Sequence, residues 1–184
     1  MRIGVLALQG AFREHATMLR QLGVDVAEVR LPGQLDGLDG LVIPGGESTT
    51  MLRLMSIYGL DEAVRSFARP IFGTCAGMIV LDRERLGLID LTVARNAFGR
   101  QIASFEADID LAGDAKPFRA VFIRAPWIAA AGPTVDILAE VEGHPVLARE
   151  NGILVASFHP ELTDDTRIHE RFLRLVREGR SVRA

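Results

Sequence analysis

The stretch PIFGTCAGMIVL, residues 70 to 81, contains the only cysteine of the chain, Cys75. Residues 70 to 74 have the pattern of a short buried strand, and residues 76 to 81 begin a helix pattern. A strand that passes into a helix through Gly-x-Cys-x-Gly has the thiol form of the nucleophile-elbow pattern. The chain approaches itself closely on both sides of such a turn, and Gly73 and Gly77 avoid a clash there. The stretch therefore predicts a strand–turn–helix unit of an α/β fold.

Two interpretations of Cys75 remain open from these residues alone. Cysteine is among the most often buried residue types, so an inert thiol in the core is compatible with the pattern. A helix that directs its N-terminus at the sulfur would instead favour the thiolate through its dipole and free N–H groups. The second interpretation makes Cys75 a nucleophile.

The segments before the elbow alternate between strand and helix patterns. We expect strands at residues 3–8, 24–31 and 40–43, and helices at residues 11–22, 48–58 and 61–68. Strands that are apolar on both sides and separated by helices indicate a parallel sheet covered on both faces.

After residue 86 the pattern changes to successive strands. We expect strands at residues 88–93, 104–109, 118–123 and 135–141, then a hairpin of residues 145–150 and 153–158 around Asn151-Gly152. A last helix at residues 164–178 has Thr163 or Asp164 as its predicted N-cap. The predicted fold is one three-layer α/β domain over residues 1–184, with a mostly parallel central sheet, an antiparallel extension and a C-terminal hairpin.

Composition excludes several classes of function. The chain has 184 residues, 48% of them hydrophobic, and a net charge of −3, so we expect neither a nucleic-acid nor a membrane partner. The first apolar run is followed at once by Gln9-Gly10 and charged residues, which favours a buried strand over a signal peptide. A single cysteine cannot form an internal disulfide, and a cytoplasmic location fits. No cysteine or histidine cluster has metal-ligand spacing, so we expect no metal and no other cofactor.

A nucleophilic thiol needs a base, and His159 is the candidate. It ends the predicted strand 153–158 and precedes Pro160-Glu161, and the residue before a proline favours extended geometry. Extended chain alternates its faces, so His159 and Glu161 can point the same way and form two parts of a Cys-His-acid triad. By itself His159 favours the other interpretation, a solvated histidine in a turn, and only Cys75 and His159 together favour the triad. The other histidines receive no catalytic role: His15 is assigned to a helix face, His144 to a turn without a partner, and His169 to the solvent-exposed face of the last helix.

The loop PGGESTT, residues 44 to 50, follows a predicted strand and precedes a predicted helix. It lacks the Gly-Lys-Ser/Thr of a Walker loop and the Gly-x-Gly-x-x-Gly of a dinucleotide site. One interpretation is a turn that ends in a helix cap at Ser48 or Thr49. The other is an oxyanion hole, since adjacent glycines let backbone N–H groups approach a reacting carbonyl.

Taken in order, the three motifs PGGES, GTCAG and HPE resemble those of the class I, or triad, glutamine amidotransferases. Further runs are similar to those of one family among them, the glutaminase subunits of pyridoxal 5′-phosphate synthase. These runs are LALQGAFREH (6–15), PGGESTTM (44–51), FGTCAGM (72–78), RNAFGRQ (95–101), FIRAP (122–126) and SFHPELT (157–163). The likeness extends over nearly the whole chain, with two departures: the segment between residues 81 and 86 is short, and Trp127 stands where a histidine is common.

The resemblance implies hydrolysis of L-glutamine to glutamate and ammonia, with the ammonia passed to a separate barrel-shaped synthase subunit that makes pyridoxal 5′-phosphate. It implies Cys75 as nucleophile, His159 as general base and acid, and Glu161 as the orienting carboxylate. The oxyanion hole would use the N–H groups of Gly46 and Ala76. The implied glutamine-binding residues are Gly46, Glu47, Ser48, Arg95, Ile123 and Arg124. Without the resemblance, Arg95 and Arg124 would be interpreted as ordinary surface charges.

Three alternative functions remain at this point. The chain could serve a different triad amidotransferase, act as a cysteine hydrolase or peptidase, or be a binding module that has kept the fold. The runs RNAFGRQ and FIRAP favour the pyridoxal branch, and the intact Cys75, His159 and Glu161 argue against a binding module. Gly45 and Gly46 also let the peptide between them adopt either orientation, so we expect slow hydrolysis until a synthase docks near the Gln9-Gly10 loop.

Overall fold

The computed structural model describes residues 1–95 and 104–181. Its central sheet has seven strands in the order β2-β1-β3-β4-β11-β10-β9. These strands are β1 (Arg2–Leu6), β2 (Asp25–Val29), β3 (Gly40–Ile43), β4 (Ile71–Thr74), β9 (Asp136–Val141), β10 (His144–Glu150) and β11 (Ile153–Ala156). The helices are α1 (Phe12–Gln21), α2 (Ser48–Tyr58), α3 (Leu60–Arg65), α4 (Ala76–Leu81) and α5 (Arg167–Ser181).

The first part of the sheet is parallel and the last part antiparallel. Strand β1 pairs in parallel with β2 and β3, β3 with β4, and β4 with β11, whereas β10 runs antiparallel to both β11 and β9. The hairpin between β10 and β11 turns at Asn151, whose φ is 50°. The predicted α/β class, the antiparallel extension and the C-terminal hairpin are confirmed.

Two antiparallel ribbons lie outside the central sheet. One pairs β5 (Leu91–Ala94) with β8 (Trp127–Ala131), and the other pairs β6 (Ser104–Ile109) with β7 (Phe118–Ile123). Strand β8 was not predicted, because its sequence WIAAA is rich in alanine, which has low strand propensity. Its strand conformation comes from pairing with β5, a tertiary contact.

Helices cover both faces of the central sheet. One core cluster joins the sheet to α1 and α5 through residues such as Leu19 and Phe172. The other joins it to α2, α3 and α4 through residues such as Met51, Val64 and Met78. The predicted three-layer arrangement is therefore confirmed. Within residues 1–95 and 104–181, no helix is both long and apolar enough to span a membrane.

Two predicted helix caps are wrong. Helix α2 is capped by Glu47, whose carboxylate accepts hydrogen bonds from the N–H groups of Thr49 and Thr50, so Ser48 is its first helical residue. Helix α5 begins at Arg167 and not at Asp164. The chain before α5 instead forms a short 3₁₀ helix at Pro160–Leu162, after which the Thr163 hydroxyl accepts a hydrogen bond from the N–H of Asp165.

The elbow has the predicted geometry. Cys75 lies between β4 and α4 with φ 48° and ψ −104°, an unfavourable conformation for a residue with a side chain. A Cβ added to Gly77 would lie 2.0 Å from the carbonyl oxygen of Ile43, and one added to Gly73 would lie 2.8 Å from the backbone of Gly77. Both glycines are therefore required by close backbone packing.

His15 and His169 form a buried pair between α1 and α5. Both are fully buried, and Nδ1 of His15 lies 2.9 Å from Nε2 of His169. The prediction that His169 faces solvent is wrong, because α5 directs that residue at the sheet. Burial lowers the pKa of both rings, and together with the neighbouring His15 it lowers that of His169 to about 3. Both histidines are neutral near pH 7.

We expect Gly77→Ala to destabilise the protein although alanine favours helices. The added methyl group would meet the backbone of β3, and overpacking of this kind costs about 1–3 kcal/mol. Thermal unfolding should therefore shift down by several degrees. Gly33→Ala is the control, since nothing lies within 4 Å of a Cβ added there. Equal melting temperatures for the two variants would contradict the close packing at the elbow.

We also expect acid to weaken the fold through His169. The unfolded chain takes up a proton near the ordinary pKa of 6.5, whereas the folded chain does so only near 3. The free energy of unfolding should therefore fall as the pH drops below about 6.5, by about 2 kcal/mol at pH 5 for this group. Urea titrations at pH 7 and pH 5 should show that His169→Phe loses correspondingly less stability than the parent. Equal losses of stability in His169→Phe and in the parent would contradict this role of His169.

Candidate active site

The candidate site lies where several parallel strands end. The carboxyl ends of β1, β3, β4 and β11 meet at one edge of the sheet, as in other open α/β folds. The chain leaves these ends through four segments, and each supplies residues to the site: residues 9–11, residues 44–48, Cys75 and His159.

The pairing of β4 with β11 brings Cys75 and His159 together. Thr74 is opposite Ala156 in this pair, and the N–H of Cys75 donates a hydrogen bond of 2.7 Å to the carbonyl of Ala156. The backbone N–H of His159 donates to the carbonyl of Val121 in β7, at 2.8 Å. The elbow and the β7 contact therefore fix both functional side chains through the backbone.

Glu161 lies behind His159. Its Oε1 is 2.7 Å from Nδ1 of the ring, and both residues are more than 90% buried. The contact agrees with the prediction, but the reason given for it was wrong. Residues 160–162 form a 3₁₀ turn, not extended chain, and this turn brings the carboxylate back to the imidazole.

His159 and Glu161 each favour the charged form of the other. Burial alone would favour the neutral ring of His159, but hydrogen bonding to Cys75 and Glu161 outweighs it and raises the pKa of His159 to about 10. Burial alone would also raise the pKa of Glu161, but the facing His15 and the hydrogen bond from His159 lower it. The site therefore holds an imidazolium against a carboxylate, beside the side chain of Cys75.

The glycine loop packs directly on these residues. A Cβ on Gly45 would lie 2.5 Å from Cε1 of His159 and 3.4 Å from Cβ of Cys75. The carbonyl of Gly45 accepts a hydrogen bond of 3.2 Å from the N–H of Ala11. Since the peptide is trans, the N–H of Gly46 points away from Ala11.

Gln9, which follows β1, contacts the same glycine loop. Its side-chain oxygen accepts from the N–H of Glu47 and its side-chain nitrogen donates to the carbonyl of Glu47, each at 3.1 Å. A Cβ on Gly46 would meet the Gln9 amide at 2.6 Å, so a side chain larger than hydrogen would disrupt this contact.

Arg95 links the loop to β5. It donates to the hydroxyl of Ser48 at 2.8 Å and lies 3.7 Å from the carboxylate of Glu47. Hydrogen bonds from Thr50 and from the N–H of Thr49 lower the pKa of Glu47 to about 2, so this carboxylate is charged at neutral pH. The side chain of Glu47 therefore caps α2, while its backbone borders the site.

A pocket of about 450 Å³ opens over Cys75. Of the predicted site residues, Gly46, Glu47, Ser48, Cys75, Ala76, Arg95, Ile123, Arg124 and His159 line it, whereas Glu161 does not. Arg124 has φ 44°, an uncommon backbone conformation for a non-glycine residue. The run RNAFGRQ lies outside the described residues except for Arg95.

Further residues that were not predicted also line the pocket, among them Ala11, Ile79, Pro126 and Leu162. Ala11 could have been found, because it follows β1 at the same edge of the sheet as the elbow. Leu162 could not, since it enters through the unpredicted 3₁₀ turn. Trp127 is not among the residues that line the pocket; its indole stacks on the ring of His144, with the ring centroids 3.6 Å apart.

The arrangement suits hydrolysis of an amide through an acyl-thiol intermediate. A thiol adjoins a ring that can accept and return a proton, and a buried carboxylate holds the ring. Backbone N–H groups of a glycine loop and of a helix N-terminus border the same pocket. Two arginines at its rim, Arg95 and Arg124, suit a substrate that carries a carboxylate.

Comparisons with known proteins agree with this chemistry. A model of the SNO glutamine amidotransferase family matches residues 5–178. The protein named pyridoxal 5′-phosphate synthase subunit PdxT from Thermosipho africanus is 54% identical, over 97% of this chain and 100% of that protein. A protein of the same name from Geobacillus kaustophilus is 52% identical, over 98% of this chain and 97% of that protein.

Solved structures show the same fold. A crystal structure described as a glutamine amidotransferase superposes with a TM-score of 0.90 at 46% identity, over 95% of this chain and 98% of that one. A putative GMP synthase subunit from Thermoplasma acidophilum superposes with a TM-score of 0.80 at 20% identity, over 100% and 97%, and shows the fold alone. The expected class I glutamine amidotransferase-like architecture is confirmed. The chain belongs to the SNO glutamine amidotransferase family.

Proposed function

We propose that this chain is the glutaminase subunit of a pyridoxal 5′-phosphate synthase, hydrolysing L-glutamine and delivering ammonia to a synthase subunit. The observation that carries the proposal is the buried His159–Glu161 pair, 2.7 Å apart, beside a strained cysteine elbow in a member of a glutamine amidotransferase family. The relatives at 50–54% identity that bear the subunit's name favour this branch over other triad amidotransferases.

The reaction begins with Cys75. Its thiolate attacks the side-chain carbonyl carbon of glutamine, and the C=O electrons move onto the oxygen. The imidazolium of His159 gives its proton to the departing nitrogen, so ammonia leaves and a glutamyl thioester remains. Water then attacks the thioester while His159 takes its proton, which releases glutamate and restores the thiolate–imidazolium pair. Glu161 keeps the ring oriented and stabilises its charged form throughout.

The oxyanion hole uses the N–H groups of Gly46 and Ala76. Ala76 is the first residue of α4, so its N–H has no partner within the helix. The carbonyl of Gly45 is engaged by Ala11, and this supports Gly46 N–H as a donor, because a reversed peptide would present a carbonyl instead. Loss of one such donor typically costs about 10²–10³ in rate.

Glutamine is held between the glycine loop and the arginine rim. Gly46, Glu47 and Ser48 border one side of the pocket, and Ile123 with Arg124 border the other. Arg95, which is tied to Ser48, supplies a positive charge for the substrate carboxylate.

The partner is a barrel-shaped synthase subunit in the cytoplasm, docked at the pocket mouth. Residues 9–11 are the proposed contact, because Gly10 and Ala11 border the pocket, while Gln9 and the Ala11–Gly45 hydrogen bond hold the loop. A partner that fixes residues 9–11 would therefore fix the oxyanion hole.

Cys75→Ala should abolish release of ammonia from glutamine, since no other thiol exists in the chain. Glu161→Gln should slow the reaction severely but less completely, because an amide can still hold the ring yet cannot stabilise an imidazolium. A coupled ammonia assay with the synthase present measures both variants, and circular dichroism checks that each is folded. A folded Cys75→Ala variant with parental activity would remove Cys75 as nucleophile.

Titration with the synthase subunit tests partner control. We expect this chain alone to hydrolyse glutamine slowly, because the donor orientation of the Gly45–Gly46 peptide is then held by the Ala11–Gly45 hydrogen bond without support from a partner. The rate should rise with added synthase until a complex is saturated. An increase of about 10²–10³ would correspond to completion of one oxyanion donor. A free chain that is already as fast as the saturated complex would rule out control of the oxyanion hole by docking.

A further inference from the structure

A chain of buried polar side chains continues behind Glu161. Nε2 of His15 lies 3.3 Å from Oε2 of Glu161 and 3.0 Å from the hydroxyl of Thr74, and Nδ1 of His15 lies 2.9 Å from Nε2 of His169. His15, Thr74 and His169 are fully buried. The reaction described above uses neither histidine.

The available hydrogen-bond partners indicate which ring nitrogens of His15 and His169 carry a proton. Nδ1 of His169 is buried without a hydrogen-bond partner. A buried N–H without an acceptor is rarer and more costly than an unused lone pair, so the proton of His169 belongs on Nε2. His169 then donates to Nδ1 of His15, and the proton of His15 must lie on Nε2. The N–H of His15 therefore lies on the side of Glu161 and Thr74.

Glu161 needs this N–H. Its Oε1 is bonded to His159, whereas Oε2 is buried without a hydrogen-bond partner. Nε2 of His15 has the Thr74 hydroxyl as its hydrogen-bond partner at 3.0 Å and lies 3.3 Å from Oε2, so the positive end of its N–H lies beside that oxygen. A buried carboxylate oxygen without a nearby donor is costly, and the carboxylate would then rotate or take up a proton. Either change would disturb its contact with His159.

We propose that His15 is a positioning residue of the triad, which acts through Glu161 by holding Nε2–H, bonded to the Thr74 hydroxyl, 3.3 Å from Oε2, while His169 fixes the tautomer of His15. The proposal rests on the role of Glu161 in the proposed function. Burial keeps both histidines neutral, so they contribute an oriented dipole and not a charge. A metal site is not the explanation, because within residues 1–95 and 104–181 no group of three His, Cys, Asp or Glu side chains has the arrangement to hold a metal ion.

His15→Phe is the main test, because phenylalanine keeps an aromatic ring in the core and removes the N–H. With the synthase subunit present, we expect kcat for glutamine hydrolysis to fall about 10- to 100-fold, as for loss of one hydrogen bond to a charged group, with KM changed less than about twofold. His15→Gln can still direct an amide N–H at the carboxylate and should recover part of kcat. His144→Phe makes the same substitution on another histidine and should keep the parental kcat.

A double-mutant cycle separates positioning from general loss of structure. If His15 acts through Glu161, His15→Phe should have little further effect in a Glu161→Gln background, where no carboxylate remains to be held. A purely structural role would instead lower kcat by the same factor in both backgrounds, and this result would overturn the proposal. So would a parental kcat in folded His15→Phe.

A second variant tests the proposal if His15→Phe does not fold. His169→Phe leaves Nδ1 of His15 without its donor, so the proposal expects a smaller fall in kcat, again absent in the Glu161→Gln background. A parental kcat in folded His169→Phe would overturn the role given to His169. If Glu161→Gln alone is fully active, the proposed triad fails and this inference fails with it. If Glu161→Gln is slow while folded His15→Phe is not, only this inference fails.

Discussion

The alignment of β11 with β4 is the constraint on which the site depends. Ala156 lies opposite Thr74, and its carbonyl accepts the N–H of Cys75 at 2.7 Å. This contact places Cys75 at the end of β4. His159, three residues after Ala156, then lies beside the cysteine. A shift of one residue in a strand pair reverses which side chains face each side of a sheet, so the alignment is specified by the buried residues on both faces.

Close backbone contacts then fix the segments around the site relative to one another. Gly77 lies against the end of β3, Gly45 lies against His159, and Gly10 lies against Gly45, each at a distance that a Cβ could not tolerate. These glycines are therefore required for the close packing of the assembled site. Because the loop, the elbow and the residues after β1 touch through their backbones, a change at one of them displaces the others. This is the physical basis for expecting a partner at residues 9–11 to influence the oxyanion hole.

Most of the fold was predictable because its strands and helices carry local signals. Alternating buried runs gave β1 to β4 with their helices, and Asn151-Gly152 gave the last hairpin. The site residues came from motif order and resemblance, and all but Glu161 line the pocket. Two failures depend on contacts between distant segments: β8 forms because β5 pairs with it, and His169 is buried because of how α5 packs. The Glu47 cap of α2 is local, but glutamate is not among the usual N-cap residues. The position of a residue in a helix pattern does not show which residue of another helix it will contact.

The buried histidines illustrate why one residue type has opposite properties in one network. His159 faces a carboxylate at 2.7 Å and a thiol, and these partners raise its pKa to about 10. His169 contacts His15 and the ring of Phe72, and burial lowers its pKa to about 3. Glu161 lies between His159 and His15, and a buried carboxylate is costly unless donors lie beside its oxygens. His159 supplies a hydrogen bond to one oxygen, and His15 of α1 places a ring nitrogen 3.3 Å from the other, so the core on the α1 side is constrained by the chemistry of the site as well as by packing.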